Sequence, residues 1–371
     1  MAVPEPHAHG HLALAERVAS LSVHRFADQV GSEGRVRVVG AKTHWDIGRR
    51  ADDLSTDVLS TDVREIRAPD GVVDVQPSEL IVRVGAGTPV GDLDAALAEV
   101  GLQCPLDPAS TSATVGGVLS VGRSGVRRLR HGHVRDVVLE ALYVSADGVL
   151  RRAGAPVVKN VTGFDLPRLL VGSIGTLGLI AEVVLRCGPL PQRRGWWSAA
   201  NVDPWSVRRA LFRPSSILWD GTRTYVQLEG SEAEVHAEAR ALPGSAWEQC
   251  EPPPLPDARA LLGSVWEQCE PPPLPDARAL LGSVWEQCEP PPLPESRSLL
   301  DPTALKRLRH EDPSAVFGVA APDWMVELGA GVVHGVALPV PPMPTPVLDL
   351  NRRMKDAFDP AGRLNPGVLP W

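Results

Sequence analysis

Two rhythms of apolar and polar residues run along the first half of the chain. Arg35–Val39 reads RVRVV, a period of two that predicts a strand leading into the small-residue loop at Gly40. Leu54–Leu59 and Glu79–Val84 predict further short strands. Val137–Val144 and Val149–Arg152 predict a hairpin turning at Ala146-Asp147-Gly148, a sequence suited to positive φ. Helical spacing is present over His11–Val30, where Leu12, Leu14, Val18, Leu21 and Val23 recur, and is clearer after Gly87. There Thr88 is placed to cap a helix and Pro89 to begin it. Leu93, Ala96, Leu97 and Val100 then form one apolar stripe that Gly101 ends. Beyond Gly188-Pro189-Leu190-Pro191 the texture changes: Trp196, Trp197, Trp205 and Trp219 appear, with a strand over Thr224–Glu229 and a helix over Glu232–Leu242. A domain boundary is expected at about residue 191.

Length supports that division, because 371 residues exceed the roughly 250–300 at which a single core stops growing. Hydrophobic residues make up 43% and charged residues 22%, the balance of an ordinary globular chain, and no run approaches the ~18 apolar residues of a membrane span. The first residues place no basic region ahead of an apolar core, so no secretory signal is expected. A cytoplasmic location follows, with membrane association only through partners. A net charge of −8 argues against nucleic acid as a partner. Cys250, Cys269 and Cys288 are copies within a repeat, which leaves Cys104 and Cys187 isolated. With no C-x-x-C pair, neither a zinc ribbon nor an iron–sulfur cluster is encoded, and no metal site is expected. The repeat, WEQCEPPPLPDARALLGSV, begins at Trp247, recurs at Trp266 and returns in part at Trp285. Identity this close over so few copies points to recent duplication of the coding sequence rather than a solenoid. Its Pro-Pro-Pro-Leu-Pro core leaves open a proline-binding partner.

The densest cluster of signals runs from Pro156 to Arg186, PVVKNVTGFDLPRLLVGSIGTLGLIAEVVLR. Gly172, Gly175 and Gly178 recur every third residue around Ser173 and Thr176, and Val183, Val184 and Leu185 resume a β-branched run. Such glycines suit either a plain turn or a backbone that grips a nucleotide through main-chain groups. Three other segments share this small-residue character. One is Val39-Gly40-Ala41-Lys42-Thr43-His44. The second is Asp107–Gly125, DPASTSATVGGVLSVGRSG, followed by Arg127-Arg128 and His133-Val134-Arg135-Asp136. The third is Phe358-Asp359-Pro360-Ala361-Gly362-Arg363-Leu364-Asn365-Pro366-Gly367. A dinucleotide pyrophosphate carries two negative charges and is met by backbone N–H groups in a glycine-rich concavity, with a cation where one is in reach. Gly40, Ala41 and Thr43 fit that task, with Lys42 as the cation. The G-x-G-x-x-G fingerprint of a doubly wound nucleotide fold is absent.

In their order and their residues these segments resemble the FAD-binding domain of the p-cresol methylhydroxylase (PCMH) and vanillyl-alcohol oxidase superfamily, and within it the FAD-binding E subunits of glycolate oxidase. The likeness covers the first 190 residues or so and the last 25, and is weak between them. It implies an α+β fold in two domains. A two-subdomain FAD-binding PCMH-type domain spans residues 1–191. A smaller α+β cap or substrate domain spans 192–340 and carries the 19-residue repeat at about 247–300. Residues 341–371 return to the FAD domain. The resemblance further implies that Asp107, Ser110, Thr111, Thr114, Gly116, Gly117, Gly122 and Ser124 line the flavin and ribityl chain, and that Ser173, Gly175 and Ile180 hold the adenine end. Some relatives attach FAD through a histidine in the first loop. Here that position falls on Lys42, with His44 two residues later, so the expected FAD is non-covalent and His44 is a hydrogen-bonding loop residue. The implied activity is FAD-dependent oxidation of the CH–OH group of glycolate or a similar short 2-hydroxy acid, beside a second flavoprotein and an iron–sulfur subunit. His334 is the candidate base; a polar residue at a strand end is its plainer reading. Two alternatives stand: a flavin-carrying accessory subunit without substrate chemistry, and an interaction protein built on the proline repeat.

Overall fold

The computed structural model describes residues 20–45, 47, 63–108, 110–156, 165–244, 247–250, 297–300, 304, 307–308, 311, 316–317, 324–330, 332–335 and 345–366. The strand expected at Leu54–Leu59, the start of the helix expected from His11, the Val158–Phe164 part of the glycine-rich signature and most of the repeat lie outside those residues. The chain divides into two compact units, residues 1–191 with 341–371, and residues 192–340.

The first unit is built on a five-stranded antiparallel sheet. Its strands are β3 (Val72–Gln76), β4 (Ile81–Gly85), β6 (Val138–Val144), β7 (Leu150–Gly154) and β8 (Leu179–Arg186), in the order β3-β4-β8-β6-β7. The central strand, β8, reads LIAEVVLR and is buried along seven of its eight residues. Both its faces are covered, and so its apolar run is almost unbroken. Ile180, Val183 and Leu185 enter one core, whereas Leu179 and Ala181 enter a second. This change of parity reflects a bulge: Leu142 pairs with Glu182 but Tyr143 with Ile180, so Ala181 is the extra residue. Its carbonyl accepts from Ala86 N at 2.9 Å. The bulge thereby fixes the chain just after β4, where the flavin-loop segment docks.

Helix α1 (residues 20–30) buries Val23, Phe26 and Val30 in the second core, beside Val36 of β1 (Arg35–Val38) and Leu364. Strand β1 pairs in parallel with β2 (Val63–Ile66), and Leu364 bridges to Val36 from the other end of the chain. Helix α2 (Val90–Ala98) buries Val90, Leu93 and Leu97 and is followed by Gly101 at φ +71°. Its start corrects the sequence reading. Pro89 takes the N-cap position, and Thr88 instead has its hydroxyl accept from Gly71 N and donate to Gly85 O, both at 2.8 Å. Val100, the last residue of the expected stripe, is exposed. Strands β5 (Leu102–Gln103) and β9 (Gly188–Pro189) form a short antiparallel ladder.

The second unit has a seven-stranded antiparallel sheet. Its strands are β10 (Arg193–Ala200), β11 (Ser216–Trp219), β12 (Arg223–Gly230), β13 (Glu248–Cys250), β14 (Arg297–Leu299), β15 (Met325–Glu327) and β16 (Val332–His334), in the order β13-β10-β12-β11-β15-β16-β14. Helices α6 (Pro204–Ala210) and α7 (Glu232–Arg240) contribute buried Val207 and Val235. Asp203 caps α6 by accepting from Trp205 N and Ser206 N. Ser231 and Glu234 form a capping box on α7. Trp205, Trp219 and Trp324 meet edge to face in sequence, 5.5 and 5.6 Å between centroids.

Candidate functional site

Three bends of the first unit meet. The loop after β1 brings Gly40 against Thr114 so closely that a Cβ there would lie 2.5 Å from Thr114 Oγ1. Val39 N donates to Ile66 O at 2.9 Å, which fixes the loop's departure from β1. Ala41, Lys42 and Thr43 are exposed, Lys42 with φ +60° and its ammonium 4.8 Å above the Trp45 ring. Thr43 Oγ1 and His44 Nδ1 are hydrogen-bonded at 3.2 Å.

The second bend starts at Asp107, whose φ is +47°. Its carboxylate receives Arg127 Nε at 2.7 Å and Nη2 at 2.6 Å, and Arg127 Nη1 continues to Gln103 Oε1 at 2.8 Å. Asp107 thus holds the arginine of the loop. The intervening segment is stitched to the end of β4 and the start of α2. Val90 N, Gly91 N, Val115 N and Gly116 N exchange hydrogen bonds with the carbonyls of Ala113, Thr111, Thr88 and Ala86, at 2.7–2.9 Å. Close approach explains Gly116: a Cβ would meet Ala86 O at 2.9 Å. Thr114 then caps helix α3 (Val115–Val121) by accepting from Gly117 N, and Gly122 ends that helix at φ +70°. Ser110 Oγ lies 2.8 Å from Ser112 Oγ, and Ser124 Oγ accepts from Val134 N at 3.0 Å. Beyond helix α4 (Arg128–His131), Arg128 Nη2 lies 3.1 Å from His133 Nε2. Burial, then the guanidinium groups of Arg128 and Arg135, hold the His133 imidazole below its ordinary 6.5, with Asp136 opposing.

The third bend follows α5 (Leu166–Leu170). Gly172 N and Ile174 N donate to Leu119 O and Ser120 O at 3.0 and 2.9 Å, taking up carbonyls that the end of α3 leaves without a helical partner. Gly172, Ile174 and Gly175 all have positive φ. Ser173 Oγ donates to Leu170 O and Thr176 Oγ1 to Ser173 O, so both hydroxyls shape the bend. Ile180 contributes its side chain to the core.

Asn365 ties the first bend to the third. Its Oδ1 accepts from Val38 N at 3.1 Å and its Nδ2 donates to Ile174 O at 2.7 Å. Sequence reading did not single it out as a site residue; only its place in the closing Asn-Pro-Gly marked it. Helix α8 (Thr345–Phe358) supports the same corner, since Lys355 Nζ donates to Thr176 O at 2.8 Å and pairs with Asp359 at 2.5 Å. The surface that results is backbone and small side chains: Ala41, Lys42, Thr43, Thr111 and Gly117 are exposed, whereas Gly40, Asp107, Ser110, Thr114, Gly116 and Gly122 are half-buried. Ser124, Ser173, Gly175 and Ile180 are buried. An extended, anionic dinucleotide fits a surface of this chemistry, with backbone N–H groups and the exposed Lys42 ammonium in reach of it.

His334 belongs to the second unit. It is fully buried, with Nε2 2.6 Å from Glu327 Oε1 across the β15–β16 hairpin, and its Nδ1 has no hydrogen-bond partner among the described residues. Glu327 went unnoticed in the sequence because the hairpin, rather than any motif, brings it to His334.

Residues 23–154 match the FAD binding domain family. The glycolate oxidase subunit GlcE of Escherichia coli is 32% identical over 207 residues, 52% of this chain and 59% of that one. A D-lactate dehydrogenase of Archaeoglobus fulgidus is 38% identical over 117 residues, 32% of this chain and 26% of the other. The glycolate oxidase subunit GlcD of Bacillus subtilis is 35% identical over 124 residues, 33% and 26%. The chain thus spans a little over half the length of GlcE and about a quarter of the other two. It carries an FAD-binding domain of the PCMH type, with mixed helix and sheet.

Proposed function

We propose that this protein is an FAD-dependent oxidoreductase that oxidises glycolate or a similar short 2-hydroxy acid as a glycolate-oxidase-like subunit, beside a second flavoprotein and an iron–sulfur subunit. The single observation that carries the reading is the meeting of the bends at Gly40, Gly116 and Gly175, the first two inside residues 23–154 that match the FAD family. The likeness to two glycolate oxidase subunits and a D-lactate dehydrogenase supports the substrate class.

FAD, when bound, supplies the hydride acceptor. The chain's own residues do the rest. Backbone of the Gly40–Thr43 and Ser110–Gly117 segments and the Lys42 ammonium hold the cofactor non-covalently, and residues 172–175 set the adenine end. His334, the candidate base, is fully buried beside Glu327, so no part in the reaction is assigned to it.

Purified protein should be yellow and release its flavin into acid. Under anaerobic conditions glycolate or D-lactate should bleach it. A second reading, an accessory flavin subunit without substrate chemistry, is favoured by the complete burial of His334, the candidate base. It is adopted if the colour survives every 2-hydroxy acid while a partner subunit restores turnover.

A further inference from the structure

Two cysteines that the sequence leaves isolated meet in the fold. In the β5–β9 ladder Leu102 faces Pro189 and Gln103 faces Gly188, so the next rung sets Cys104 opposite Cys187. Directly opposed residues of an antiparallel pair lie about 4.5–5.5 Å apart at Cα, inside the roughly 4.4–6.8 Å that a disulfide spans. The two thiols interact with one another, both are free, and both are buried, at 2% and 7% exposure. Each also faces a backbone carbonyl: Cys104 Sγ lies 3.7 Å from Arg186 O, and Cys187 Sγ 4.0 Å from Leu185 O.

We propose that Cys104 and Cys187 are a redox-active cross-strand pair, closed to a disulfide by hydrogen peroxide and reopened by dithiols. The pair is asymmetric. The neighbouring Cys104 holds the Cys187 thiol below its ordinary range against the effect of burial, whereas Cys187 and burial together push Cys104 well above it. Cys187, the more exposed of the two at 7% against 2%, is the attacking sulfur. Its thiolate forms an S–O bond with one peroxide oxygen as the O–O bond breaks, and the departing hydroxide is protonated to water. Cys104 then attacks the sulfenic sulfur, the S–S bond forms and the S–O bond breaks, releasing a second water. Two thiols and one peroxide become one disulfide and two waters, a two-electron oxidation of sulfur.

The position gives the bond a mechanical consequence. Cys104 lies three residues before Asp107, which holds Arg127, and β9 leads to Pro191, where the first unit ends. A disulfide fastens these two exits together. It also closes a loop long enough to constrain the unfolded chain substantially.

The test uses the full chain with C250S, C269S and C288S, so that only the two core cysteines remain. Peroxide in slight molar excess, followed by alkylation under denaturing conditions and peptide mapping, should give linked Cys104 and Cys187 peptides. Their mass should be about 2 Da below the dithiol sum, and dithiothreitol should reverse the change. The oxidised protein should melt roughly 5–10 °C higher than the reduced. With C104S added, Cys187 should stop at a dimedone-reactive sulfenic acid; with C187S added, Cys104 should stay alkylatable. Full alkylation of both cysteines after peroxide, or sulfinic acid at Cys187 without the linked peptide, overturns the proposal. The outcome does not depend on flavin or substrate.

Discussion

Gly40 and Thr114 place a packing limit where the cofactor is proposed to sit. A methyl group at Gly40 would come within 2.5 Å of the hydroxyl that caps α3, so either the loop after β1 moves outward or the cap is lost. Strain of this kind costs about 1–3 kcal/mol. Gly40→Ala is therefore expected to weaken flavin retention roughly 10- to 100-fold. Far-ultraviolet circular dichroism should stay unchanged, and retention is measured as the flavin remaining after gel filtration. His133 makes a different prediction. Its folded-state affinity for protons is reduced, so between the folded pKa and 6.5 the unfolded chain binds more protons than the folded one. Stability then falls as pH drops below about 6.5 and is regained as pH rises. His133→Asn should flatten the melting temperature between pH 7 and pH 5 relative to wild type; a slope unchanged or steeper rejects the assignment. Backbone conformation was the least legible feature at this scale. Lys42, Asp107, Ile174 and Asn365 adopt positive φ without being glycine, held there by contacts such as the Asp107–Arg127 pair and the two hydrogen bonds of Asn365. Nothing local in their sequence announces it.

Elements that earn their stability from one apolar face were readable, and those that depend on distant partners were not. The alternation of Arg35–Val38 and the hairpin around Gly148 appear within a residue or two of the expected bounds, because burial on one side and a turn at positive φ are local facts. Strand β3 carries no comparable signal, being half-buried along most of its length and defined by its pairing with β4. Helix α3 was hidden inside a segment read only as a loop. Seven residues with two adjacent glycines have little intrinsic helicity, and the helix holds through Thr114 at one end and the third bend at the other. That dependence is testable at Gly122. It stands at φ +70°, and a Cβ would lie 2.8 Å from Gly172 Cα, a backbone atom with no rotamer to adjust. Gly122→Ala combines the left-handed penalty with overpacking and should cost roughly 2–4 kcal/mol in denaturant unfolding. Gly101→Ala, also at positive φ but with open space where the Cβ would go, should cost only the conformational part, roughly 1–2 kcal/mol.

For the whole molecule, the decisive contact joins the two ends of the chain. Leu364 is buried in the core that holds Val23, Phe26 and Val36, and it bridges to β1 as though it were the missing neighbour of that strand. Arg363 donates to five carbonyl oxygens, those of Val30, Gly31, Glu33, Gly34 and Ala146, while Asp359 accepts from the backbone of Arg363 and Leu364. Those carbonyls belong to the end of α1, the turn after it and the β6–β7 hairpin, so one guanidinium ties these elements together, with Arg64 Nη2 also donating to Val30 O and Glu33 O. Residues 1–191 expressed alone lack both Arg363 and Asn365. That fragment should retain no flavin and should unfold without a cooperative transition, whereas the same fragment joined through a flexible linker to residues 341–371 should recover both properties. Arg363→Ala in the intact chain separates the guanidinium from the segment as a whole. It leaves Leu364 and Asn365 in place and should lower stability by about 3 kcal/mol, the order expected for hydrogen bonds to a charged group lost together with the solvation of their acceptors. If the variant unfolds within about 0.5 kcal/mol of the wild type, the anchoring resides in the apolar contact and the Asn365 bridge, and the guanidinium is replaceable by water.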